Sequence, residues 1–221
     1  MNLSNVFQTW LNVLTHPNEE TFVQEGEKPD ANLTTALIWI VIAGIVAAVF
    51  GYIGSSLALN AQGPMMQQMI DQMDLPPEAK AELGALFSGG FMAGMLGAAS
   101  FASIFITPIF FLIGVGILHL IARMMGGSGE FGKYAYLIAV FQAPLTIVQA
   151  VIGLVPLLGG CISLVATIYG FVLTYFATKV AHNLTSGKAI VVVIIPIGIL
   201  LALFSCIILS AMGIMLSTMG Q

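Results

Sequence analysis

Charge is what this chain has least of. Asp, Glu, Lys and Arg make up 7% of its 221 residues, against about 25% in an ordinary soluble domain. They are missing altogether from Thr34–Leu59, Leu83–Ala122, Tyr134–Thr178 and Ala189–Gln221. A helix of about 20 apolar residues crosses a bilayer, so these tracts define an all-α, polytopic transmembrane bundle whose first partner is the lipid bilayer. The mean hydropathy of +1.01 agrees.

The other shortages exclude functions one by one. Only six Lys and Arg occur, with no basic stripe for nucleic acid. The acids Glu19, Glu20, Glu25, Glu27 and Asp30 precede the first apolar run, where a cleaved signal peptide carries basic residues. The two cysteines, Cys161 and Cys206, sit inside apolar runs and make no metal motif. They read as inert thiols, with a disulfide near one membrane face as the alternative. His16, His119 and His182 are scattered and have no neighbouring carboxylate, so neither a metal centre nor a Ser/His/Asp triad is expected. No enzyme activity and no cofactor follow. The spans also hold no acid, Lys or Arg, the groups that ion and proton transporters keep at membrane depth.

What is present sets the topology. As one helix, Tyr134–Thr178 would be about 67 Å long, over twice the hydrocarbon core of about 30 Å. "VPLLGG", Val155–Gly160, supplies the proline and glycines for a reversal. Thr34–Leu59, Phe101–Ala122 and Ala189–Leu216 each read as one span. Leu83–Ser100, rich in Gly, Ala and Met, is open to three readings: a helix extension, a re-entrant segment or a separate span. Five spans are expected, and six are the alternative. With five, Lys28, Arg123, Lys133, Lys179 and Lys188 share one side and Lys80 lies on the other, placing the N-terminus in the cytoplasm. A six-span chain with its N-terminus outside gives the same charge split.

The spans divide the chain into a cytoplasmic segment, 1–33, and a transmembrane helical domain, 34–221. Phe7, Trp10, Leu11 and Leu14 recur at helical spacing before Pro17, the pattern of an interfacial amphipathic helix. A partner-binding helix has the same pattern. Glu19–Asp30 reads as a solvated acidic linker. After the first span, Met65, Met66, Met69 and Met73 fall near one helical face. Clustered thioethers suit Cu(I), although methionine more often fills apolar gaps. The Gly-rich "RMMGGSGEFGKY", Arg123–Tyr134, matches a phosphate loop only in its glycine spacing. Tyr134 stands where the magnesium-binding Ser/Thr belongs. It reads instead as a cytoplasmic hairpin whose surface carries Arg123 and Lys133, with Lys179 and Lys188 on the next loop.

Gln142, Thr146 and Gln149 share a face of the third span beside Pro144, and Ser163 and Thr167 offer hydroxyls on the fourth. Such a stripe either lines a polar path or bonds helices to one another. Small-residue steps such as Ala47/Gly51, Gly90/Gly94, Ala93/Gly97 and Ala166/Gly170 allow close packing within the chain or in a homo-oligomer.

The order of features resembles the Yip domain family, the Ypt/Rab-interacting membrane proteins, in its short prokaryote-like form. The resemblance rests on Trp10, Val13, Leu14, Pro17 and Phe22 before the first span, "GGSGEFGKY" after the second, Pro144 within the third and "AHNLTSGKA", Ala181–Ala189, before the last. It implies five spans, a cytoplasmic N-terminus, no catalytic activity and, for a prokaryotic chain, the cell (inner) membrane. Rab binding does not carry over, because the "DLYGP"-type motif and the long N-terminal domain of eukaryotic members are absent. The expected function is a non-enzymatic membrane scaffold or adaptor that organises membrane proteins or lipids. The alternative is a small-solute transporter or channel with a polar path between the third and fourth spans.

Overall fold

The computed structural model describes residues 3–219 apart from 88, 156 and 157. These residues form eight helices and no strand: α1 (Leu3–Thr15), α2 (Glu19–Gly26), α3 (Leu33–Gln72), α4 (Pro77–Phe87), α5 (Gly89–Met124), α6 (Phe131–Ile152), α7 (Leu158–His182) and α8 (Ser186–Met219). Five of them, α3 and α5–α8, are long and apolar enough to cross a membrane. Pro156, the expected helix breaker, lies outside the described residues, but the reversal falls between α6 and α7 as the sequence implies.

The reading of Leu83–Ser100 resolves as an extension. Its last part is the start of α5, which runs on without a break through Met124, so no separate span is formed. The expected loop Asn60–Glu82 is helical as well. At about 1.5 Å per residue, the 40-residue α3 is about 60 Å long. It therefore projects well past one membrane face, carrying Met65, Met66 and Met69, and Pro77 begins a separate helix α4. Pro64 lies inside α3 without ending it. A proline removes one backbone donor, and at an exposed position such as this water replaces the lost partner.

The core lies at one end of the bundle. Tyr134–Phe141 in α6 are buried on every side, packed against α3, α5 and α7 and against the two N-terminal helices. Glu19–Asp30 is thus no free tether. Asn18 caps α2 by accepting from the Thr21 amide at 2.9 Å. Thr21, Phe22, Glu25 and Gly26 then fall on one helical face and are buried. Acidic composition suggested solvent, but the burial of Phe22 between Phe141 and Phe176 decides the placement (centroids 6.3 and 6.2 Å).

Helices α5 and α7 stop side by side at this same end with one shared geometry. The Gly126 amide donates to Arg123 O at 3.0 Å and the Gly127 amide to Ala122 O at 2.8 Å. In α7 the Asn183 amide donates to Val180 O and the Leu184 amide to Lys179 O. Both are Schellman turns, in which a left-handed residue closes the helix. Gly126 (φ 92°) and Asn183 (φ 52°) supply that conformation.

Candidate functional site

Two regions gather the polar groups. The first is the end where α5 and α7 stop and α6 and α8 begin. The two Schellman turns are tied by the Ser128 amide, which donates to His182 O at 3.2 Å. Gly129 must be glycine here, because a Cβ would collide with the backbone carbonyl of Ala181. Beneath the hairpin lie His119 and His182, with ring centroids 4.9 Å apart. Tyr134 packs on His182 at 4.8 Å and its hydroxyl pairs with Thr178 Oγ1 at 2.8 Å. His182, expected in a loop, is the last residue of α7 and is wholly buried. Neither of its ring nitrogens has a hydrogen-bond partner among the described residues, nor has His119 Nδ1.

The N-terminal helices complete this end. Trp10 meets Trp39 edge-on at 5.9 Å, and Trp39 meets Tyr136 at 5.0 Å. The Tyr169 hydroxyl donates to Leu14 O at 2.6 Å. The interfacial face thus divides: Trp10 and Leu14 pack on the protein, while Phe7 and Leu11 are 61% and 45% exposed. The buried Glu25 carboxylate accepts from Lys28 Nζ at 2.7 Å and from the Tyr136 hydroxyl at 3.3 Å. Lys28 also donates to Thr9 Oγ1 at 2.8 Å, so one network joins α1, α2 and α6. A polar cavity of about 330 Å³ opens beside it, lined by Asn5, Thr9, Lys28, Asp30, Trp39 and Tyr136.

Of the loop cations, Lys179 is engaged in an ion pair with Glu19. Arg123 and Lys188 are exposed and Lys133 is half-buried, and none of the three has a hydrogen bond or ion pair among the described residues. Sequence reasoning missed the Glu25–Lys28 pair and the histidine pair. For the first a signal existed, since Glu25 lies three residues from Phe22 on one helical face.

The second region is the stripe of uncharged polar residues between α6 and α7. Gln142, Thr146, Gln149 and Thr167 line one shallow groove of about 220 Å³, together with Thr174. Ser163 lies at its edge, where its carbonyl accepts from Gln149 Nε2 at 3.4 Å. Thr167 and Thr174 bond back to the carbonyls of Ser163 and Gly170. The Gln142 amide and the Thr146 hydroxyl have no partner among the described residues. Elsewhere, Met65, Met69 and Met73 are exposed and Met66 is half-buried. Cys161 and Cys206 are both free. No group of three or more His, Cys, Asp or Glu side chains is arranged for a metal among the described residues.

A bundle of five long apolar helices, with five of the six Lys and Arg gathered at one end, defines an integral multi-pass membrane protein. Residues 11–207 match the Yip1 domain, and the chain belongs to that family. No curated protein and no solved structure matches it.

Proposed function

We propose that the chain is a non-enzymatic membrane scaffold, whose basic-loop end is a cytoplasmic platform for membrane partners. The observation that carries this reading is the construction of that end. Two N-terminal helices, two Schellman turns and a buried aromatic core fix one surface, from which Arg123 and Lys188 project unpaired. Positive loops favour the cytoplasmic side, which for a prokaryotic chain means the inner face of the cell membrane. A solute path between α6 and α7 is less well supported. Towards the platform, Leu137, Leu173 and Ala177 are fully buried in the helix contact, and the Tyr134 hydroxyl and Thr178 beyond them are closed on each other.

The test is crosslinking and pull-down from native membranes, comparing the intact chain with Arg123→Glu/Lys188→Glu. Deleting α1 would be a poor comparison, because it strips Trp10 and Val13 from the core. The double charge reversal is expected to lose captured partners while the protein stays folded and inserted. Retention of every partner would count against the platform.

A further inference from the structure

The groove between α6 and α7 has a larger neighbour. A cavity of about 710 Å³ lies between α5, α7 and α8, with Gly114, Ile117, Pro196 and Phe204 among its lining. Its volume is within the range of about 300–1,000 Å³ usual for ligand sites. Phe171 and Thr174 line both spaces, so the polar groove and the apolar cavity share a wall. Ile117 is 49% exposed and Phe204 63% exposed, which leaves the cavity open sideways to the bilayer.

We propose that the two spaces form one binding site for an uncharged amphiphile, a lipid with a hydrocarbon tail and a hydroxyl- or carbonyl-bearing polar end. The tail fills the cavity, and the polar end bonds to Gln142 and Thr146, whose amide and hydroxyl have no partner among the described residues. Two observations select this class. Among the described residues no charged side chain lines either space, so none of them balances a phosphate. Depth gives the same answer. Gln142 is about 16 Å along α6 from Phe131, near the middle of a core of about 30 Å. A charged headgroup stays at the interface, whereas an uncharged polar end reaches the midplane at far lower cost. The need for a partner is physical, because an amide left unpaired in hydrocarbon is costly and no water is at hand to bond it. The proposal rests on the scaffold reading by naming a lipid that the scaffold holds, and its variants lie away from Arg123 and Lys188. Failure of lipid binding is thus read separately from failure of partner capture.

The experiment uses the full chain in phosphatidylcholine nanodiscs with a diacylglycerol probe that carries a photoactivatable tail. A phosphatidylglycerol probe with the same tail is the comparison. Diacylglycerol should label peptides from α7 and α8 saturably, be displaced by unlabelled diacylglycerol, and exceed phosphatidylglycerol. Gln142→Leu/Thr146→Val should weaken labelling about threefold to thirtyfold, the range for one or two intramembrane hydrogen bonds. Gly114→Leu should weaken it by narrowing the cavity. A Cβ at Gly114 meets nothing within 4 Å, so the position has room for a side chain and the variant carries the test even where the polar variants do not fold. Equal labelling by both probes, or unchanged labelling in a folded Gly114→Leu protein, overturns the proposal. So does a disulfide-linked dimer through Gln142→Cys, which would mean that a second copy covers the groove.

Discussion

The two ends of this bundle are built on different principles. At the platform end, α6 is enclosed by five other helices, and aromatic rings, a buried ion pair and two Schellman turns lock it. At the opposite end α3, α4 and α5 pack on one another and α8 projects alone. Every described side chain from Leu201 to Ser210 in α8 is exposed. Apolar exposure has a different meaning at membrane depth than in water. Within the bilayer, lipid tails satisfy such side chains and no hydrophobic force draws the helices together. The platform end has to be closed by packing, because its polar loops and N-terminal helices meet water. Fixed geometry is thus concentrated at the end proposed as the partner platform, while the far part of α8 is left to lipid.

Substitutions should expose that asymmetry. The largest effect is expected from Trp39→Ala, which removes a fully buried ring touching Trp10 and Tyr136. It should cost about 3–5 kcal/mol in reversible unfolding from mild detergent. Phe204→Ala, at a 63% exposed position of α8, should stay within about 0.5 kcal/mol in the same assay. Next comes Gly129→Ala, whose Cβ would strike the Ala181 carbonyl. A loss of about 1–3 kcal/mol is expected, with greater protease sensitivity at the hairpin. Gly198→Ala in α8, where a Cβ meets nothing within 4 Å, should be neutral or slightly stabilising. A smaller effect than at Trp39 or Gly129 is expected from His182→Leu. The imidazole is buried with both nitrogens unpartnered among the described residues, so an apolar side chain of similar size should change stability by less than about 1.5 kcal/mol. A much larger loss there would reveal a bonding partner for the ring.

Much of the scaffold was legible because lipid and water leave strong marks on composition. The charge-free tracts marked the spans, and Gly126–Gly129 marked a turn, as helix-stop signals do. The polar stripe was legible too: Gln142, Thr146 and Gln149 fall on one face by spacing alone, and α6 presents them to one groove. What escaped was any choice between equivalent surroundings. An apolar face looks the same whether it meets lipid or protein, so Trp10 and Leu14 gave no sign that they pack inward while Phe7 and Leu11 do not. Acidity hid the docking of α2, since the burial of Phe22 and the pairing of Glu25 with Lys28 are long-range outcomes. The extension of α3 beyond the membrane was masked by Gln and Pro, which read as loop although both are tolerated on an exposed helix. His182 seemed to belong to a polar loop because the Asn183 turn comes one residue later.

The claim that binds these observations is that the packed, basic end faces the cytoplasm. It is tested most directly by labelling intact cells with a membrane-impermeant maleimide, in a Cys161→Ser/Cys206→Ser background carrying either Ser128→Cys or Val155→Cys. Ser128 is exposed in the platform hairpin, and Val155 is exposed in the turn before α7 at the other end. Val155→Cys should react in intact cells and Ser128→Cys only after permeabilisation. Labelling of Ser128→Cys from outside, with Val155→Cys protected, would invert the bundle and contradict the account.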